Sequence, residues 1–282
     1  MSNITKRQHF VPQFYLKQFT DKNELLHCYK IADGKQFHAH PNDVCFKEYG
    51  YEVESLIPNQ KFLLPNEIEK MFCSLEGEYS LVLQSIVNKC LQNSNGISLI
   101  CSSKEKEVFA SMVSNFISRN FLAVDSFVDD KTTQDLLDNN QEVIEIDNLL
   151  RELKIGDAKP LVELAQKKLF LSPTEDGVAK SIMDSLLKMN LSFFVTDTEN
   201  FITSDCPVGY NCTPNELLMA RIPLSTKVMA VYSSSDISRQ FRNRARLIER
   251  RFVKKLNRDY LNWGIPKMLI AKSKKDISSL IN

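Results

Sequence analysis

Glycine and proline are scarce in this chain, with 8 glycines and 10 prolines among 282 residues. So few turn-forming residues argue against a loop-rich all-β protein. The glycines are also spaced too far apart to form a Gly-x-Gly-x-x-Gly fingerprint or a phosphate-binding P-loop. The sequence therefore excludes the common glycine-rich modes of nucleotide binding.

Long apolar runs are missing as well. No uninterrupted apolar stretch reaches the ~18 residues that a membrane-spanning helix needs. Residues 1–7 are not followed by the apolar core of a secretory signal. The seven cysteines are odd in number and lack paired spacing, which is typical of reduced thiols. We therefore expect a cytoplasmic protein without membrane contact.

The apolar residues that are present follow a helical period in the middle of the chain. The stripe that starts at Ile68 predicts a long helix beginning near Pro65-Asn66. Ser102-Ser103 followed by Glu105 is typical of a second helix start. Further helices are expected at 132–152, 159–171 and 177–189.

Strand patterns lie on both sides of this helical region. Residues 24–31 and 35–39 flank Asp33-Gly34, which predicts a β-hairpin. Four short runs rich in Phe, Val and Ile predict an antiparallel sheet, and they lie at 191–196, 200–204, 219–223 and 226–232. A last strand is expected at 267–272. The whole predicts an α+β fold, mostly helical, in one domain over 1–282. A helical insertion over about 65–190 separates sheet-forming parts at about 8–60 and 190–282.

Charge is distributed unevenly although the net charge is only +1. Nine Lys and Arg face one acid, Glu249, between Arg239 and Arg258, whereas residues 125–147 are strongly acidic. A basic helix is expected over about 243–262, with cations every four residues beside an apolar stripe: Arg242, Arg246, Arg250, Lys254 and Arg258. This pattern favours contact with a nucleic-acid backbone. A solvated helix face, a protein partner, or pairing with the acidic segment are alternatives.

Three polar constellations could carry chemistry. In residues 8–19, His9 and Gln13 stand among aromatic residues. His9 is suited to be a general base or a metal ligand. The alternative is that His9 and Gln13 cap buried backbone groups. In residues 201–208, Ser204 and Asp205 end an apolar strand before a proline, where either catalysis or a local side-chain turn is possible. Arg119 lies in an apolar helix and needs an anion, which is either a substrate phosphate or a structural glutamate, Glu69 or Glu76.

These constellations, in this order, resemble the bacterial domain-of-unknown-function family 4238. The resemblance rests on Gln8-His9-Phe10-Val11-Pro12-Gln13-Phe14-Tyr15-Leu16, on Ile68-Glu69 with Glu76, on Arg119, on Thr203-Ser204-Asp205-Cys206-Pro207, on Pro223-Leu224-Ser225 and on Asn257. The chain departs from the family pattern at residues 187–193, where a tryptophan is expected; its only tryptophan is Trp263.

The resemblance implies a bacterial or phage protein and groups seven residues into one site: His9, Gln13, Glu69, Glu76, Arg119, Ser204 and Asp205. Some relatives accompany anti-phage or mobile-element genes.

Two functions remain open. The first is a hydrolase of phosphate esters acting on nucleic acid, with His9 as base, Arg119 neutralising charge, and a divalent metal held by Asp205 and Glu69. The second is a non-enzymatic sensor or interaction protein whose polar set is structural.

Overall fold

The structure, a computed structural model, describes residues 4–120, 124–125, 127–213, 216–234 and 242–281. The N-terminal segment forms strand β1 (Arg7–His9), the short helix α1 (Gln13–Leu16) and a 3-10 turn (Lys17–Phe19). The predicted hairpin is present as β2 (Leu26–Lys30) and β3 (Gln36–Ala39). A second 3-10 turn (Pro41–Asp43) leads into β4 (Phe46–Glu48), which pairs with β1.

The central helices confirm most of the predicted pattern. They are α2 (Glu67–Gln92), α3 (Ser103–Ser118), α4 (Asp130–Asn139), α5 (Gln141–Glu152), α6 (Lys159–Leu171) and α7 (Val178–Lys188). Ser102 caps α3 in a reciprocal capping box with Glu105. The single helix expected over 132–152 is wrong, because Asn140 ends α4 and its side chain accepts from Val143 N to begin α5.

A six-stranded sheet covers one side of these helices. Its strands are β5 (Asn95–Leu99), β6 (Asn190–Val195), β8 (Gly209–Thr213), β9 (Glu216–Ser225), β10 (Val228–Ser233) and β11 (Arg244–Leu247), in the order β5-β11-β6-β10-β9-β8. All pairs are antiparallel except β11 with β6. Strand β5 lies within the segment that we expected to be a helical insertion.

A second, four-stranded sheet joins the two ends of the chain, in the order β3-β2-β12-β7. It contains the predicted last strand, β12 (Met268–Ala271), and the short strand β7 (Thr203–Ser204). The prediction that residues 200–204 belong to the same sheet as the three runs around them is therefore wrong. The main-chain partner of Thr203 is Ile270 of β12, a long-range pairing that no local pattern specifies.

The predicted basic helix begins later than expected. Helix α8 spans Arg250–Gly264, whereas Arg244–Leu247 forms β11, so Arg242 and Arg246 do not lie on the helix. The parallel pairing of β11 with β6 overrides the helical spacing of its arginines. A final helix, α9 (Lys274–Ile281), was not anticipated.

The main core lies between the six-stranded sheet and α2 and α3. Phe109 of α3 stacks on Tyr232 of β10, with ring centroids 5.9 Å apart. Helix α8 covers part of the other face with Val253 and Tyr260, which pack on Met229. This approach requires Gly209 in β8, since a Cβ there would lie 2.6 Å from the Tyr260 carbonyl oxygen.

Within the described ranges, no helix combines the length and the apolar composition needed to cross a membrane.

Candidate functional site

Arg119 is the most deeply buried charged residue among the candidates. It caps the C-terminal end of α3, and its side chain is completely inaccessible to solvent. Its Nη1 donates to Glu76 Oε1 at 2.7 Å, and its Cζ lies 3.5 Å from the ring centroid of Phe72. Phe72 and Glu76 are four residues apart on α2, so one helix face supplies both contacts. The prediction that Arg119 needs an anion is confirmed, and Glu76 is that anion.

Glu76 satisfies only part of the Arg119 guanidinium. Nε and Nη2 of Arg119 are buried and have no hydrogen-bond acceptor within the described part of the chain. Removing a charged donor from water without giving it a partner is costly, and such groups are uncommon in folded proteins. The arrangement therefore leaves two strong donors able to bind an additional anionic oxygen.

Glu69 adds a second carboxyl group on the same helix, seven residues before Glu76. Burial raises the pKa of Glu69 to about 7, and the neighbouring charges of Glu76 and Glu52 add to the rise while Arg119 opposes it. A carboxyl group with this pKa exchanges its proton near neutral pH. Glu69 is therefore suited to acid–base chemistry in a way that an ordinary surface glutamate is not.

His9 is the last residue of β1 and contacts the segment around Asn42 and Phe46. Its Nε2 lies 3.3 Å from the carbonyl oxygen of Asn42, and its ring packs at 5.7 Å on Phe46. Burial lowers the pKa of His9, the Asn42 contact and the field of Glu76 oppose the shift, and Arg119 contributes to it. The imidazole is therefore mainly neutral at pH 7 and can accept a proton.

Gln8 and Gln13, on either side of His9, have different environments. Gln13 Nε2 donates to Asn42 Oδ1 at 3.2 Å on the surface, beside the His9 contact. Gln8 is completely buried; its Oε1 accepts from Tyr51 N at 2.7 Å and its Nε2 donates to Glu52. Gln8 thus fixes β1 against the 49–53 loop, a structural role that sequence analysis did not assign to it.

The strand-end residues Thr203 and Ser204 form a buried hydroxyl network. Thr203 Oγ1 lies 2.7 Å from the Tyr15 hydroxyl, and Ser204 Oγ lies 2.9 Å from the Tyr260 hydroxyl. Ser204 Oγ also accepts from Cys206 N at 3.1 Å. Both Thr203 and Ser204 are fully buried, so these contacts favour a structural role for Ser204 rather than nucleophilic attack.

Asp205 contacts β12. Its Oδ1 accepts from Lys267 N and Met268 N at 3.0 and 3.1 Å. Burial raises its pKa, and these two amide donors oppose the rise. Glu69 is instead influenced by Arg119, Glu76 and Glu52, so the two carboxylates belong to different networks.

The predicted metal site at Asp205 and Glu69 therefore does not fit the donor arrangement. No cluster of three or more His, Cys, Asp or Glu with metal-binding geometry occurs within the described ranges. We derive no metal-dependent step from these residues.

The three constellations nevertheless meet at one cleft of about 190 Å³. Phe10 comes from the first, Asn120 follows Arg119, and Asp205 and Cys206 come from the third. Asn120 Nδ2 lies 3.6 Å from Cys206 Sγ and so links two of them directly. Thus each motif contributes a residue to the cleft, and Arg119, which precedes Asn120, pairs with Glu76.

The cations predicted to bind nucleic acid lie on two elements. Arg246 lies in β11 and Arg242 in the turn before it, whereas Arg250, Lys254 and Arg258 are on α8. Arg250 pairs with Glu199, and Lys254 is half-buried. Arg251, Lys255 and Arg258 share one exposed face of α8, at i, i+4 and i+7, and Arg251 also pairs with the exposed Glu249. Arg239, at the start of the basic segment, lies outside the described residues.

The fold is α+β, and the candidate site contains the buried Arg119 paired with Glu76. The family described as Protein of unknown function (DUF4238) matches residues 7–279, so this chain belongs to that family. Comparison with curated proteins and with solved structures gives no match.

Proposed function

We propose that this protein is a hydrolase of phosphate esters that acts on nucleic acid, with its acid–base centre at Arg119, Glu69 and His9. The proposal depends chiefly on the two donors of Arg119 that have no acceptor among the described residues. A phosphate offers anionic oxygens that match the planar guanidinium fork. Arg119 would hold the phosphate and neutralise the charge that develops on its non-bridging oxygens.

Glu69 and His9 supply the two proton transfers of the hydrolysis step. Water attacks phosphorus and forms a new P–O bond, while its proton passes to the neutral imidazole of His9. The bond from phosphorus to the leaving sugar oxygen breaks, and that oxygen takes the proton of Glu69. Solvent then returns both groups to their starting states. A Glu69 pKa of about 7 suits this role, because an acid works best when its pKa is near the working pH.

Nucleic acid is the proposed substrate because of the charge on α8. Arg251, Lys255 and Arg258 form an exposed cationic stripe, which can contact successive backbone phosphates without reading their sequence. A role in bacterial defence against phage or in mobile elements, implied by the family resemblance, is part of this proposal.

A non-enzymatic sensor or interaction module is the second candidate, and burial is the observation that favours it. Arg119, Gln8 and Ser204 are fully buried and bonded to other elements, as expected of residues that only fix the N-terminal segment to the core. A phosphate can reach Arg119 only if the residues around it move.

Hydrolysis of defined oligonucleotides separates the two candidates. Single-stranded DNA, duplex DNA, RNA and the diester bis(p-nitrophenyl) phosphate are incubated with the wild-type protein, Glu69→Gln and Glu78→Gln. Glu78 is a matched control, since it lies on the same helix and makes an exposed pair with Lys104. The enzyme account expects turnover by the wild type and Glu78→Gln and at least a hundredfold loss in Glu69→Gln. No turnover of any substrate favours the non-enzymatic account, whereas equal turnover by all three proteins contradicts the assignment of Glu69 as the general acid.

A further inference from the structure

The cleft lined by Phe10, Asn120 and Asp205 has both aromatic and polar side chains in its walls. Phe10, Phe116, Tyr210 and Trp263 provide the aromatic surface, and Asn120 and Asp205 provide the polar atoms. Aromatic side chains bind nucleobases by stacking, and amide and carboxylate groups can bond to base edges. At about 190 Å³ the cleft suits one planar ring system rather than an extended ligand.

Trp263 is held firmly at the cleft wall. The Cζ of Arg221 lies 4.1 Å from the centroid of its ring, and Arg221 Nη1 donates to Asp259 Oδ2 at 2.8 Å. The guanidinium thus makes an ion pair with Asp259 and a cation–π contact with the indole. A pre-positioned aromatic surface of this kind lowers the entropic cost of binding a ring.

The chain also connects the cleft to the proposed catalytic cluster. Phe10 and Asn120 line the cleft. The residue before each is linked to Glu76: Arg119 donates to it, and the charge of Glu76 acts on the imidazole of His9. Cleft and cluster are therefore neighbours that share these two backbone segments.

We infer that this cleft binds the base of a nucleotide or of a nucleic-acid strand and so positions the attached phosphate for the cluster of Arg119. The second part rests on the proposed function, whereas binding of the base does not. Stacking on aromatic rings tolerates any base, because every base has a π-face.

The only tryptophan of the chain is a built-in probe of this cleft. Trp263 fluorescence is titrated with adenosine, with the four nucleoside monophosphates and with ribose 5-phosphate, and N-acetyltryptophanamide corrects for light absorbed by the bases. We expect saturable quenching by the nucleoside and the nucleotides and none by ribose 5-phosphate. Quenching by ribose 5-phosphate alone, or by none of these ligands, overturns the inference.

Two variants locate the binding. Tyr210 lies on edge strand β8 and is 41% exposed, so Tyr210→Ala removes one wall with little effect on folding. It should weaken nucleotide binding about tenfold, and Asn120→Ala should weaken it by a smaller factor. Phe252→Ala is the matched control, because Phe252 is 46% exposed and lines a different groove. Equal affinities of Tyr210→Ala, Asn120→Ala and the control would contradict a site in this cleft.

The result is separable from the proposed function. Binding of bases without hydrolysis of any phosphate ester retains the cleft assignment and removes the catalytic one. Hydrolysis without quenching of Trp263 removes the cleft assignment alone.

Discussion

Arg119 and Glu76 form an asymmetric ion pair: the Arg119 side chain has no solvent exposure, whereas that of Glu76 is 32% exposed. The positive charge therefore depends on the protein for its stabilisation, and the negative charge is partly solvated. Nη1 donates to Glu76 and the guanidinium carbon lies over the Phe72 ring, whereas Nε and Nη2 have no acceptor among the described residues.

Loss of Glu76 should be much more harmful than loss of the whole pair. Glu76→Leu leaves a buried guanidinium without its counterion, so we expect the free energy of unfolding to fall by about 3 kcal/mol. Adding Arg119→Met should restore most of this loss, because the uncompensated charge is gone. Urea unfolding of the two proteins measures the difference. The exposed pair of Glu78 and Lys104 is the control, and the same substitutions there should change stability by less than about 1 kcal/mol. A fully stable Glu76→Leu protein would contradict this prediction.

Glu69 should make stability depend on pH in a defined direction. Its folded-state pKa of about 7 is above the unfolded value, so the folded state binds the proton more tightly. The contribution of Glu69 to the free energy of unfolding is thus greatest below about pH 4.5 and decreases as the pH rises towards 7. Glu69→Gln should be more stable than the wild type at pH 8, by about 1 to 2 kcal/mol after allowing for partial exposure, and equal to it near pH 4. Parallel stability curves across this range would show that the pKa of Glu69 is ordinary.

The hydroxyl network of Ser204 should matter for stability and not for turnover. Ser204→Ala removes the acceptor of Cys206 N and a contact of Tyr260, which should cost about 1 to 2 kcal/mol. Tyr260→Phe should cost a similar amount, and the double substitution less than the sum, because both groups share one network. Ser98→Ala, at an exposed position on β5, is the control. A Ser204→Ala protein that is fully stable but lacks turnover would restore Ser204 as a catalytic candidate.

The cationic stripe of α8 should set the salt dependence of nucleic-acid binding. Replacing Arg251, Lys255 and Arg258 by Ala should reduce the slope of log affinity against log salt by about 2 to 3. A control with the same loss of charge replaces the exposed Lys17, Lys22 and Lys35 of the N-terminal segment. Equal slopes for the two triple variants would place the nucleic acid elsewhere.

The sequence alone predicted those helices and strands whose conformation is determined by neighbouring residues. The stripe from Ile68 to Ile86 and the turn at Asp33-Gly34 specify α2 and the first hairpin without help from distant residues. Strand β11 is different, because Arg-Ala-Arg-Leu has no local strand pattern and is extended only through its partners on β5 and β6. The helix break at Asn140 was not predicted, because apolar residues on both sides of it continue the helical pattern.

In the candidate site too, local sequence predicted some features, whereas others depend on residues from distant elements. The apolar helix around Arg119 predicts a buried charge that needs an anion, and Glu76 fulfils that requirement. The elevated pKa of Glu69 and the unsatisfied Arg119 donors depend on burial from several elements, which one sequence does not reveal. Likewise, nothing local shows that Ser204 is locked to Tyr260, 56 residues away.

The pH dependence of phosphodiester hydrolysis tests the central claim most directly. Rates for the wild type and Glu69→Gln are measured from pH 5 to 9 on the best oligonucleotide substrate, with Glu78→Gln as control. If Glu69 is the general acid, wild-type and control rates fall as the pH rises through about 7, and Glu69→Gln loses both the activity and this inflection. Hydrolysis by Glu69→Gln at the wild-type rate, with the same inflection, would contradict the assignment.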